Sequence, residues 1–338
     1  MTRIIDIHTH CSIPDRSDPL GVAQFMRGTP VGKNSFSDFR GLPAISYHEL
    51  TDFDLQQEVS HKAGISYRLM SNPFGAEVLV ALSKKSPGDV IKHNNDMIAA
   101  VVEQSKGTTA GLGVANPLDG SLIKDYERNV KQAGFKGLLI NSSWQGKFID
   151  TEEAFPFWEW AEDQQVPLFL HPVRVPIGAE RQMDQYKLDE LVGRPFDTAM
   201  CLARMILSGL FDRYPRLKIV VAHMGGGLLP VMGRLNFGYR LGDEGMPERA
   251  KIKCEKLPSE YLRGNLRVDI MGLWGPHVRE ALEVFGADRV FFGTDYGPVP
   301  IDPSEHIALV EELDISAEDK EKIYWKNANE FFNLGFSA

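Results

Sequence analysis

Short apolar runs recur along the chain, each closed by a polar or glycine-containing break and followed by a longer stretch with helical spacing. The first is Ile4-Ile5-Asp6-Ile7-His8-Thr9-His10. Further runs predict strands at Ile65–Met70, Gly111–Ala115, Gly137–Ile140, Val166–His171, Leu217–His223, Leu266–Ile270 and Val290–Asp295. Between them the pattern predicts helices, among others over Tyr47–Gly64, Gly88–Gln104, Ser121–Gln132, Phe155–Asp163, Phe196–Leu207, His277–Phe285 and Ser316–Phe332. Strands without polar alternation, separated by helices, are the mark of parallel strands covered on their outer face. Eight of them in one chain favour a closed (β/α)8 barrel, the TIM barrel, over an open doubly wound sheet. No linker-like change of composition divides the chain, so residues 1–338 read as a single domain.

One stretch has no periodicity. Residues 12–46, rich in Pro, Gly and Asp, form an inserted loop that carries Phe25, Arg27, Phe39 and Arg40. Loops longer than about 15 residues in a compact protein are usually functional or disordered, and this one is a candidate to cover a substrate.

Composition narrows the class of partner. The net charge of -9 and pI near 5.5 disfavour nucleic acid and anionic membrane surfaces, which require a positive field. Cys11, Cys201 and Cys254 are scattered and show no CxxC spacing, which fits neither a disulfide scaffold nor a thiolate cluster and agrees with a reducing cytoplasm. No apolar stretch approaches about 18 residues, and no export signal is legible. There is also no GxGxxG or GxxxxGK[ST] motif, so Gly225-Gly226-Gly227 reads as close backbone approach beside a site or as a plain tight turn.

The chemistry lies at the strand ends. Strand side chains repeat with a period of two, so His8 and His10 leave one face and can reach one ion. His171, His223 and Asp295 end three other predicted strands. In a barrel the C-terminal strand ends converge on one mouth, which brings these distant residues together. Their nitrogen and carboxylate donors suit Zn²⁺, and also Mn²⁺ or Fe²⁺. Each histidine alone fits a buried core residue equally well; the joint placement is what points to a metal.

The text also resembles a known family. Ile5-Asp6-Ile7-His8-Thr9-His10, Gly134-Phe135-Lys136-Gly137, Phe169-Leu170-His171-Pro172, the block Ser208 to Pro215 with Ala222-His223-Met224-Gly225-Gly226-Gly227, Phe292-Gly293-Thr294-Asp295-Tyr296 and Asn327-Ala328-Asn329-Glu330-Phe331-Phe332 are similar to the amidohydrolase superfamily. The branch is that of 2-amino-3-carboxymuconate-6-semialdehyde decarboxylase, γ-resorcylate decarboxylase and related aromatic-acid decarboxylases, hydratases and carbon-carbon hydrolases. The resemblance implies a distorted (β/α)8 barrel, commonly dimeric, in which His8, His10, His171 and Asp295 hold one divalent metal, zinc first and manganese second. It implies that His223 and Asp295 handle protons. Ile140-Asn141-Ser142-Ser143-Trp144 offers no bridging lysine or glutamate, which implies a mononuclear site.

Arg174 and Arg234 stand where the family places substrate-facing residues, Arg234 with the option of acting across a dimer interface. A guanidinium there binds a carboxylate through two parallel bonds. Trp274 joins them as a substrate-binding candidate, and Asp269 either orders a histidine or the loop with Trp274, or pairs with an arginine. His48, His61, His93, His277 and His306 receive no role. The expected reaction is metal-dependent, non-oxidative decarboxylation of a small aromatic or muconate-type carboxylic acid in a degradation pathway. The alternatives are hydrolysis of a carbon-carbon bond in a ring-fission product, hydration of an unsaturated diacid, and a non-catalytic binding barrel.

Overall fold

The strand β1 (Ile5–His10) is buried along its whole length. That is the environment of a parallel strand with helices on one side and a filled barrel on the other. A computed structural model describes residues 3–11, 48–72, 80, 85–132, 134–173, 183 and 185–337. The expected inserted loop, with Phe25, Arg27, Phe39 and Arg40, falls outside these residues, as does Arg174.

The chain continues through β2 (Tyr67–Ser71), β3 (Thr109–Ala115), β4 (Phe135–Asn141), the pair β5 (Ser143–Trp144) and β6 (Lys147–Phe148), then β7 (Pro167–His171), β8 (Lys218–Val221), β9 (Leu266–Asp269) and β10 (Val290–Phe291). The main sheet runs β1-β2-β3-β4-β7-β8-β9-β10, parallel throughout. Its two ends meet beyond β10, where Ile7 N donates to Phe292 O at 3.1 Å, Asp295 N to His8 O at 2.7 Å and His10 N to Tyr296 O at 2.9 Å. The result is the expected eight-stranded α/β barrel, distorted at this closure.

Closure depends on two glycines. A Cβ on Gly293 would lie 2.9 Å from the His8 Cβ, and one on Gly297 (φ +120°) would lie 2.4 Å from the His10 carbonyl oxygen. Only glycine lets the chain pass β1 this closely. Thr294 adds a clasp, donating from Oγ1 to Asp6 Oδ2 at 2.6 Å and from N to Asp6 Oδ1 at 3.2 Å.

Helices cover the outside with one apolar face each. In the Pro87–Gln104 helix, Ser86 caps the Asp89 N–H, Pro87 opens the first turn, and Val90, Ile91, Asn94, Ile98 and Val101 form the buried stripe. Asn95 adds a side-chain lock to β3, accepting from Val114 N at 2.7 Å and donating to Val114 O at 3.2 Å.

The ends of elements differ from the sequence expectation. The helix expected over Tyr47–Gly64 is split at Asp52 into His48–Thr51 and Phe53–Lys62, because Asp52 takes the N-cap position of the second. The strands expected to reach His223 and Asp295 stop at Val221 and Phe291, and both residues adopt left-handed backbone at φ +56°. The β5–β6 hairpin was not expected. Its two-residue turn, Gln145-Gly146, has positive φ at both positions, as a type I′ turn requires.

His306 gives the fold a pH response. It is fully buried in the Pro303–Glu311 helix, both ring nitrogens lack a partner among the described residues, and burial depresses the imidazole to about 4. The unfolded chain therefore binds a proton that the folded chain refuses, and stability present above pH 6.5 is lost as pH falls towards 4, by roughly 3 kcal/mol. We expect His306→Gln to flatten this part of the urea-midpoint profile; an unchanged acid slope would assign it to other groups.

Candidate metal centre

β1 delivers His8 and His10 to the barrel interior, two residues apart on one face. His171 ends β7, and Asp295 lies just past β10, where Gly293, Thr294 and Gly297 hold it against β1. One donor atom from each of His8, His10, His171 and Asp295 lies within 4.8 Å of all the others, and all four residues are buried. It is the one such group among the described residues.

The hydrogen bonds behind the rings fix how they face. Asp269 Oδ2 holds His8 Nδ1 at 2.6 Å, Ser71 Oγ meets His10 Nδ1 at 2.8 Å, and His171 Nδ1 donates to Pro172 O at 3.0 Å. Each Nδ1 is thus occupied on the outer side, and the three Nε2 atoms turn inward. His8 Nε2 and His10 Nε2 are 3.1 Å apart, and Asp295 Oδ1 is 3.3 and 3.1 Å from them. His171 Nε2 and Asp295 Oδ1 are buried without a directed hydrogen bond. Converging, buried lone pairs of three imidazoles and a carboxylate are the donor set of a divalent cation, and outer partners of this kind orient metal-binding histidines. The residues fit the ion: a divalent-metal site is present.

The electrostatics agree. Burial, then the neighbouring His10 and His8, hold the His171 imidazole well below its usual range, and burial brings His10 down to about 4. Both imidazoles are neutral at physiological pH, with a lone pair free for a cation. Burial also works against a proton on His8, yet Asp295 and Asp269 together carry it up to about 10. Against burial, His8, His10 and His223 keep the Asp295 carboxyl well below the carboxylate range. The two carboxylates thus draw positive charge into the cluster, and a divalent cation among the same donors answers that field.

Asp269 ties the site to its surroundings. Besides His8, its Oδ1 accepts from Met224 N at 3.3 Å and Met271 N at 3.2 Å, which anchors the loops after β8 and β9. Of the roles expected for Asp269, it orders a histidine, His8, and the start of the loop that carries Trp274. Asp269→Asn should lower metal affinity about 10- to 100-fold while the fold persists, read by competition with a chelator. Unchanged affinity would remove Asp269 from the support of the site.

His223 is not within the four-donor group. Its Nε2 lies 3.3 Å from Asp295 Oδ2, and the side chain is 20 % exposed at the wall of a cavity of about 690 Å³. His223, Met224 and Asp295 are left-handed non-glycine residues, and such backbone outliers gather at functional sites.

The other expected site residues lie elsewhere. Arg234 is exposed on the Leu228–Leu241 helix, and Trp274, 64 % exposed, precedes the Gly275–Phe285 helix; neither lines the cavity. The cavity is lined instead by Arg194 and His277, to which the sequence reading gave no role. Arg194 directly precedes Pro195, and nothing in its spacing distinguishes it from a surface arginine.

A sequence model of the amidohydrolase family matches residues 76–334. The chain belongs to the amidohydrolase family. This amidohydrolase is 32 % identical over 252 residues to the 2-amino-3-carboxymuconate-6-semialdehyde decarboxylase of Dictyostelium discoideum, covering 73 % of this chain and 67 % of that one. Among solved structures it is similar to 5-carboxyvanillate decarboxylase from Sphingomonas paucimobilis, with TM-score 0.83, 26 % identity, and coverage of 98 % of this chain and 99 % of that one. It is similar too to the Novosphingobium aromaticivorans 5-carboxyvanillate decarboxylase complexed with manganese and 4-hydroxy-3-methoxy-5-nitrobenzoic acid, with TM-score 0.82, 25 % identity, and coverage of 98 % and 96 %.

Proposed function

We propose that this amidohydrolase is a metal-dependent, non-oxidative decarboxylase of an aromatic or muconate-type carboxylic acid. The observation that carries the reading is the four-donor cluster opening, through Asp295 and His223, on a cavity large enough for a substituted ring. The names of its relatives support the choice of reaction.

His8, His10, His171 and Asp295 would hold the ion. When bound, the divalent cation supplies a fixed positive charge that orients and polarises a substrate oxygen. His223 Nε2, beside Asp295 Oδ2 and open to the cavity, is placed to pass a proton to the carbon bearing the carboxylate. As the new C–H bond forms, the C–CO₂ bond breaks, its electron pair stays on the carbon skeleton, and CO₂ leaves. Zinc is the ion we assign, on the three-nitrogen, one-oxygen donor set; manganese, named with the Novosphingobium relative, is the alternative. The test is a panel of aromatic and unsaturated acids with the zinc- or manganese-loaded protein: CO₂ appears with one of them and stops on chelation. Metal-independent turnover, or no CO₂ from any acid, would defeat the reading.

We further read the chain as one cytoplasmic domain acting as a homodimer. Phe196 and Met200 on the Arg194–Leu207 helix and Phe237 and Leu241 on the Leu228–Leu241 helix are 55, 54, 56 and 67 % exposed. An exposed apolar patch of this kind marks an association surface. Arg234 precedes Phe237 by three residues and Leu241 by seven, so it shares their helix face, which supports the expectation that it acts across the interface. Sedimentation equilibrium at micromolar concentration should give twice the chain mass; a monomer would contradict the assignment.

A further inference from the structure

Two nitrogen donors in the cavity wall lack partners among the described residues. Arg194, the first residue of its helix, has Nε buried and without an acceptor. Its one ion pair is Glu190 Oε1 to Nη1 at 3.7 Å, beyond hydrogen-bond length. His277, in the first turn of the Gly275–Phe285 helix, has Nε2 buried and unpartnered. Both line the cavity that holds His223 and Asp295. Arg194 follows β7, His223 follows β8 and His277 follows β9, so three neighbouring strands in turn supply these residues to the cavity. The Arg194 charge also reaches the metal cluster, where it opposes protonation of His10 and His171.

Buried donors in folded proteins are nearly always paired, and an unpaired one at a cavity wall calls for an acceptor brought by a ligand. A guanidinium meets a carboxylate through a planar fork, whereas an imidazole nitrogen meets a single oxygen. We propose that Arg194 binds a carboxylate of the substrate and His277 a second oxygen substituent, so that the site selects aromatic or unsaturated acids bearing a further hydroxyl or carboxyl group. Apolar residues that line the same cavity, Leu191, Val299 and Ile301 among them, receive the carbon skeleton. The inference rests on the acid-binding part of the proposed function and not on which bond is broken.

Equilibrium titration of the zinc-loaded protein with benzoate, 3-hydroxybenzoate and benzamide tests it. A hydroxyl in the 3-position does not feed charge to the carboxyl-bearing carbon, so none of these probes is expected to turn over. The native protein should prefer benzoate to benzamide, and 3-hydroxybenzoate to benzoate. Arg194→Gln should weaken both acids by about 10-fold or more and benzamide by less than about 2-fold, with zinc content unchanged. Arg194→Lys should fall between, and is read instead if the glutamine variant loses zinc or fold. Glu190→Gln, which frees the guanidinium from its neighbour, should tighten both acids. His277→Phe should erase the advantage of 3-hydroxybenzoate alone. Equal loss of acid and amide binding in both Arg194 variants, or no acid preference in the native protein, would overturn the assignment. Acid selectivity that depends on Arg194 in a protein releasing no CO₂ would keep this inference and remove the decarboxylase reading; CO₂ release with selectivity indifferent to Arg194 would do the reverse.

Discussion

Asp295→Asn should lower CO₂ release by at least about 10³-fold while the protein stays folded, since metal polarisation of a reacting oxygen is worth several kcal/mol and each 1.36 kcal/mol is tenfold in rate. The proposed function gives the carboxylate two duties that the amide cannot perform. Oδ1 lies 3.1–3.3 Å from the inward Nε2 atoms of His8 and His10, where an anionic donor completes the cluster. Oδ2 lies 3.3 Å from His223 Nε2, where it can exchange a proton. The amide is isosteric but neutral, so both metal affinity and rate should drop, and extra metal should restore only the first. Metal titration of the rate separates the two. Full recovery at saturating metal would reduce Asp295 to a ligand and return the proton step to His223 alone.

Gly297→Ala should cost on the order of 3–4 kcal/mol of stability, because φ +120° is strained for any L side chain and the new Cβ would stand 2.4 Å from a backbone oxygen. That oxygen belongs to His10, so relief of the clash moves a member of the four-donor cluster. Two readouts should therefore shift together: a lower urea midpoint, and weaker metal binding in the fraction that stays folded. A loss of stability with metal affinity intact would show that the closure of the barrel is independent of the site. No loss at all would contradict the close approach of Gly297 to β1.

Most of the architecture was legible because it depends on local pattern. The eight apolar runs are the eight barrel strands, and the helix starts at Ser86-Pro87 and Ser316 carry their own caps. What was not legible was decided by distant neighbours. Val290-Phe291-Phe292 reads as the start of a six-residue strand, but β10 pairs with β9 for only two residues before the chain turns to β1, drawn by the Asp6–Thr294 clasp. Asp295 consequently sits in a left-handed turn, not on a strand, and His223 adopts the same backbone after β8 ends at Val221. The Gln145-Gly146 turn was a readable hairpin signal that passed unused, between runs too short to stand out.

The site divides the same way. The four clustered donors could be proposed because each ends an apolar run, and the barrel topology alone brings such ends together. Asp269 could be placed at a strand end, but its bond to His8 is made across 261 residues of sequence. Arg194 and His277 occupy helix beginnings, where arginine and histidine are commonplace, and only their burial without partners distinguishes them. Arg174, offered together with Arg234 for a substrate carboxylate, lies outside the described residues, and Arg194 is the arginine found in the cavity wall.

The central claim, that this site exchanges a carboxylate for a proton, is tested most directly by isotope labelling of the product. The zinc-loaded protein is turned over on an acid from the panel, once in D₂O and once in H₂¹⁸O, with CO₂ and product mass measured together. Decarboxylation predicts one deuteron on the carbon that lost the carboxylate, no ¹⁸O in the organic product, and one CO₂ per product. Carbon-bound ¹⁸O in the organic product, or a pair of products whose summed mass exceeds the substrate by one water, would contradict it.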